Sequence, residues 1–589
     1  MRTTSRKVLM AGAIAMVVAV SGCAGSRVAA EKKTDTAQTQ GAPASGGAGP
    51  GSAASGGGSG GGPANTKMIA ELHIPSEADA SVGNLVNYNP YSPKPLTGTW
   101  LFEPLMIQNG MSCEVVPWLA TAYKWDGNKL TFTIRDGVKW SDGQPFTSKD
   151  VAFTFNLGKK YSSIDRAGVW STTFGAPAKS VTASGNQVTL EFTGNAAAKF
   201  PAIVSMQTLM LPEHVYSKVG DPAKFIDKNP VSTGAFKVGS YNGRRLELVR
   251  RDDYWQADKV KVQKLVLEGT YEAPQASAKL SAGDLDAYWG EIPNPAKTFV
   301  SKDPSKNHFW YAANGITVLS PNLTKAPFND PQFREAISYA MDKQQISLKA
   351  TYGIMQPASQ SGLKLPIMAK MLPDQYSASQ GAATVLPFDT AKAGQLLDTA
   401  GYPKGGDGVR TNKDGSPLSV DFSIQAGFID YQAIADVVVS GLKTIGLNAK
   451  VTASSPDAVD QAKKSGDFQL VLEYLHGGCD FARGLGAKLA TDQIPTKTTI
   501  LPNVERFSDK ATDADVAALG AAIDDAARKP LVGKLVDTMM TQFPVTSLIY
   551  APARILYRTD HAVGWPTEQD PYAHPVDDKL IILTHLTAP

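Results

Sequence analysis

Leu130-Thr-Phe-Thr-Ile-Arg-Asp-Gly-Val-Lys-Trp140-Ser-Asp-Gly-Gln-Pro-Phe-Thr-Ser-Lys-Asp150-Val combines a strand, a turn and a capped helix within 22 residues. From Lys129 to Arg135 apolar and polar residues alternate, the period of a half-buried strand. Asp136-Gly137 turns the chain and Val138-Lys139-Trp140 resumes it. Thr147 or Ser148 then caps a helix, and Asp150 stands three residues after Thr147, as a capping box requires. Working outward, Val188–Phe192 and Leu246–Val249 read as further strands. In the second half Asp330-Pro331 starts a helix with Phe333, Ile337, Ala340 and Met341 on one face. Asp389 caps a helix carrying Leu396 and Leu397 that stops at Gly401. Further helices are expected over 431–445 and within 513–542, with strands at 418–424 and 469–474 between them. Strands alternating with helices imply α/β lobes with mixed sheets.

The whole chain fits this picture. At 589 residues it exceeds a single core, which rarely passes about 250–300 residues. With 42% hydrophobic and 19% charged residues it has material for packed cores. The 58 basic and 55 acidic residues leave no electrostatic footprint for nucleic acid. Three cysteines exclude a disulfide-dense or multi-cysteine metal framework. The N-terminus accounts for the net charge of +3, since Arg2, Arg6 and Lys7 precede Cys23 with no acidic residue among them.

Those residues precede an apolar run, Val8–Val20, too short for the ~20 residues that span a bilayer. A basic start, a short apolar core and small residues form a secretory signal. Val20-Ser-Gly-Cys23 resembles a bacterial lipobox, which implies lipidation of Cys23 and anchoring at the cell membrane. Residues 24–65 are Gly-rich, and 36–65 carry no charge, so this segment is read as a flexible tether. Its expected r.m.s. span is roughly 35 Å. A GxSxG match at Gly57–Gly61 lies inside it, without the strand and helix a nucleophile elbow needs.

The opening stretch resembles the family 5 extracellular solute-binding proteins, the peptide, nickel and oligosaccharide group serving ABC importers. Asn229-Pro-Val-Ser-Thr-Gly-Ala-Phe236 resembles a family turn, with Ser232 and Ala235 replacing Gly and Pro. Arg251-Asp-Asp-Tyr-Trp255, Leu280-Ser-Ala-Gly-Asp-Leu-Asp286, Asn322–Asp342 and Phe388–Tyr402 resemble further family patterns, in the family's order. The resemblance covers roughly residues 68–560.

It implies the type II periplasmic-binding-protein fold of the large three-domain cluster, two lobes closing on a cleft. The expected division is signal peptide 1–22, tether 23–66, domain I at 67–99, 216–315 and 545–589, domain II at 100–215 and domain III at 316–544. Ligand would lie between domains I and III, and transport energy would come from a partner ATPase and permease, because the chain has no P-loop.

The implied ligand is an oligopeptide, with a β-linked oligosaccharide as the alternative. In Tyr474-Leu-His-Gly-Gly-Cys-Asp480-Phe481, the counterpart of a peptide-binding stretch, Asp480 is the candidate partner of a terminal ammonium. Trp289 and Trp310 lie where sugar-binding members carry aromatics, and Tyr352–Leu363 also resembles that branch. Tyr88 and Asn89 could line the cleft, and Asn322, Tyr474 and Phe481 complete the candidate set; each aromatic also reads as core. Cys113 and Cys479 are a possible disulfide pair in an oxidising exterior. The seven histidines form no pair at metal-ligand spacing, so no metal or cofactor is expected, and a monomer is. The rival class, a secreted serine hydrolase, rests on Ser361-Gly-Leu-Lys364, Ser240-Tyr-Asn242 and Lys464-Ser-Gly466. Their order contradicts the penicillin-recognising pattern, in which SxxK comes first.

Overall fold

A computed structural model describes residues 67–76, 86–92 and 100–589, apart from positions 173, 270 and 380. The signal, Cys23 and the tether lie outside the described residues. Lys129–Ile134 is a strand with Leu130, Phe132 and Ile134 buried. It is second in an antiparallel sheet whose strands run Ala120–Asp126, Lys129–Ile134, Gln187–Phe192, Ala178–Ser184. Its register sets Leu130 against Leu190 and Phe132 against Val188, so the apolar side chains share one face. Gly137 makes the turn with φ +78°. The resumption expected at 138–140 is only an isolated bridge between Lys139 and Pro145, because Gly143 turns the chain again. The capping box forms at the head of the helix Ser148–Lys160: the Thr147 side chain accepts from Lys149 N, and Thr147 N donates to Asp150 at 2.8 Å.

A second, mixed sheet has the order Ile69–Pro75, Val262–Glu268, Arg245–Arg250, Phe236–Tyr241. A short ribbon pairs Met106–Gln108 with Val115–Pro117. The largest sheet has six strands, in the order Ala287–Tyr288, Thr546–Arg558, Asn307–Pro321, Leu470–His476, Ser419–Gln425, Asn448–Ser454. Helices of the second half start where the caps predicted. Asp330 accepts from Gln332 N at 3.0 Å at the head of Pro331–Tyr339, and Asp389 accepts from Lys392 N at 2.8 Å at the head of Thr390–Thr399. Ile429–Thr444, Lys510–Ala521 and Asp525–Gln542 follow.

The two long paired strands, Asn307–Pro321 and Thr546–Arg558, join two bodies with separate cores. Trp310, Ala312, Ala553 and Ile555 pack into the first core, with the residues of the two four-stranded sheets. A few residues along the same strands, Ile316, Val318 and Tyr550 pack into a core of the helical half. The ladder is irregular where the hand-over occurs, between Ala313 and Gly315. Gly315 is required there by close approach, since a Cβ would lie 2.4 Å from the Tyr474 hydroxyl. The two cores thus change over along these two strands.

Candidate ligand site

The crossing strands carry a cavity of about 730 Å3, within the 300–1,000 Å3 of small-molecule sites. Antiparallel register sets His308 opposite Tyr557 and Trp310 opposite Ile555. The His308 and Tyr557 rings lie 5.5 Å apart at 30°, and Tyr557 and Trp565 lie 5.6 Å apart at 31°. The three rings follow one another in a row, each tilted about 30° to the next, and Trp310, Phe309 and Tyr311 also line the cavity. Trp565 Nε1 donates to Ala562 O at 3.0 Å, which fixes the end of the row. Ile354 and Gln356 come from the helical half, so both bodies line the cavity. Burial pushes the Tyr311 hydroxyl up to about 12 and raises that of Tyr557, so both remain neutral donors. Glu568 is the one carboxylate of the lining, which has no lysine or arginine. No side-chain hydrogen bond or ion pair joins Glu568, Gln569 or Gln356 to another described residue, so their polar groups are available to a ligand.

The structure does not bring the sequence candidates together. Trp310 alone lines this cavity. Trp289 stands beside it, at a small apolar cleft shared with Trp100 and Trp565, and its Nε1 donates to Pro575 O at 2.7 Å. Asp480 and Phe481 lie instead in a second cavity of about 360 Å3, beside Lys370, Asp525 and Arg528. There Asp480 has a cation of its own, with Arg483 Nε 3.4 Å away and Arg483 N donating at 3.0 Å; burial nevertheless raises its pKa. Tyr474 packs edge-on to His476, 4.7 Å between centroids, and lines neither cavity.

Asn89 and Asn322 do the work of scaffold, and neither lines these cavities. Asn89 is fully buried, donates to Phe225 O at 2.9 Å and accepts from Tyr91 N at 3.0 Å. Asn322 donates to Gly466 O at 2.8 Å and accepts from Thr324 Oγ1 at 2.7 Å. Tyr88 is buried in the first core. Cys113 and Cys479 are joined in a disulfide.

The hydrolase pattern finds no catalytic geometry. Ser361 is buried, 2.6 Å from Ser359 Oγ, while Lys364 Nζ donates to Gly110 O at 3.3 Å. Among the described residues, Asp286, Asp560 and His561 form a three-residue group that sequence spacing did not reveal. Its members hold one another and the scaffold: Asp286 takes His73 N at 2.6 Å and His561 Nδ1 at 2.8 Å, and Asp560 pairs with Arg558 at 2.5 Å. Sequence reasoning missed Tyr557, Trp565 and Glu568. The only available signal was a concentration of aromatic and polar residues after Thr546, which has no local periodicity to mark it.

Residues 114–482 match the model of the bacterial extracellular solute-binding proteins, family 5 Middle. The nickel-binding periplasmic protein of Escherichia coli is 25% identical over 426 residues, 67% of this chain and 74% of that protein. Di/tripeptide-binding protein 1 of Pseudomonas aeruginosa is 25% identical over 482 residues, 75% of this chain and 82% of that protein. The crystal structure of a periplasmic oligopeptide-binding protein of Thermotoga maritima superposes with a TM-score of 0.75 at 21% identity, over 89% of this chain and 100% of that one. The same protein with mannohexaose bound gives 0.66 at 21% identity, over 89% and 97%. The family consists of substrate-binding proteins acting outside the cytoplasm. The chain belongs to family 5 of the bacterial extracellular solute-binding proteins, and its fold is the type II periplasmic-binding-protein fold.

Proposed function

We propose that this chain captures oligopeptides in the aromatic cavity and delivers them to the permease and ATPase subunits of an ABC importer, as a monomer held at the membrane by lipidated Cys23. The observation that carries the reading is a cavity lined from both bodies, at the strands that join them. A ligand that touches both bodies stabilises their closed arrangement, because its contacts are complete only there. Aromatic walls suit apolar side chains. Gln356 and Gln569 suit a peptide backbone, and Glu568 suits the terminal ammonium, the role expected of Asp480. The family relatives named for peptides support the same class.

A thermal-shift screen tests it. Di- to pentapeptides at 100 times their Kd should add about 2.7 kcal/mol of stability. A shift with cello- or manno-oligosaccharides and none with peptides overturns the peptide reading. The ring row of His308, Tyr557 and Trp565 favours that second reading, since pyranose faces stack on such rings. Replacing Cys23 with Ala should release the protein from membranes; retention refutes the anchor.

A further inference from the structure

We propose that the Cys113–Cys479 disulfide is a redox-controlled third tie across the hinge, which restrains how far the two bodies part until a dithiol reduces it. The chain itself crosses between the bodies twice, on the paired strands Asn307–Pro321 and Thr546–Arg558. Off that ribbon the bodies meet through noncovalent contacts, such as Asn195 Nδ2 donating to Ala521 O at 3.0 Å and Arg483 lying 4.2 Å from the Phe174 ring. The disulfide joins positions 366 residues apart and adds a third covalent attachment.

Each cysteine is fixed to its own body. Cys113 lies in the loop between Met106–Gln108 and Val115–Pro117. That loop is pinned to the C-terminal segment of the first body: Asn109 Nδ2 donates to Tyr572 O at 2.7 Å, and Gly110 N donates to Asp578 Oδ2 at 2.9 Å. Gly110 presses so closely there that a Cβ would lie 2.7 Å from His574 Cβ. Asn109 Oδ1 accepts from Met111 N at 2.8 Å and Ser112 N at 2.9 Å, shaping the turn that gives Cys113 its φ of +64°. Cys479 follows the strand Leu470–His476, whose His476 pairs with Gly315 at the hand-over between cores. Beside the bond, Lys364 Nζ donates to Gly110 O at 3.3 Å. A single hydrogen bond exchanges readily with water, so it cannot replace a covalent tie.

Both sulfurs line the cavity of about 360 Å3 and are half-buried, so a dithiol can approach them. One of its thiolates attacks a sulfur, forming a mixed disulfide and expelling the other cysteine as thiolate. Its second thiol then displaces the first cysteine. The dithiol leaves as a cyclic disulfide, having supplied two electrons and two protons to Cys113 and Cys479.

This inference rests on the reading that the bodies part to admit ligand, but its test needs no ligand, so failure of peptide binding leaves it standing. The full chain is compared in three states: oxidised, reduced with dithiothreitol, and as the Cys113→Ser, Cys479→Ser variant. Peptide mapping by mass spectrometry should find the bond in the first state alone. Small-angle scattering should give a larger radius of gyration in the other two. Amides beside the bond on both bodies, at 111–114 and 478–482, should exchange about tenfold or more faster there, while the Lys129–Ile134 strand keeps its protection. Three results overturn the proposal: no bond on mapping, identical scattering and exchange in all three states, or exchange rising equally throughout the molecule, which marks a mere staple.

Discussion

The two cavities differ in what their polar groups already hold. In the second cavity Asp480 and Asp525 have protein cations, Arg483 for Asp480 and Lys370 at 2.9 Å for Asp525. At the crossing strands Glu568, Gln356 and Gln569 have no side-chain partner among the described residues, beside rings that are largely buried in the first core. A buried polar group paired within the protein must give up that pairing before it can serve a ligand, whereas an unpaired one gives up only water. This contrast is what favours the aromatic cavity as the proposed ligand site over the cavity that holds Asp480.

Several changes break or sharpen this contrast. Trp310→Ala should cost the most, about 3–5 kcal/mol in unfolding free energy, and abolish peptide binding; chemical denaturation and calorimetry read the two. Trp310→Phe, which keeps a ring, should recover most of both. A pH scan sharpens the contrast from the scaffold's side. Burial pushes Glu103 up to about 7, above its ordinary 4.5. Its folded-state proton therefore contributes stability that is complete below pH 4.5 and is lost as pH rises through 7, on the order of 3 kcal/mol at 1.36 kcal/mol per unit. Glu103→Gln should flatten that slope in denaturant titrations. Glu568→Gln should weaken peptide binding by about 10–100-fold, the worth of a hydrogen bond to a charged group. Because Glu568 is exposed, the melting temperature should stay unchanged. Asp480→Asn should have the smallest effect on binding, leaving affinity unchanged. A tenfold loss of affinity there would invert the assignment of the two cavities.

Local physics made much of the fold legible. The capping box of Thr147 and Asp150, the caps Asp330 and Asp389 and the alternation of 129–134 depend on residues a few positions apart. The ordered family patterns then supplied the architecture. The site was harder to read because it depends on register across the chain: nothing near His308 announces that Tyr557 lies opposite, or that Trp565 extends the row. Asn89 and Asn322 misled because a short amide that can contact a ligand can equally pin a turn. Only the positions of Phe225 O and Gly466 O decide between those uses.

Hydrogen exchange with and without a saturating tripeptide tests the central claim most directly. Ligand in the aromatic cavity should protect residues 308–311, 354–356 and 557–569, from both bodies at once. Protection confined to 479–482 and 523–528, around Asp480, would contradict it.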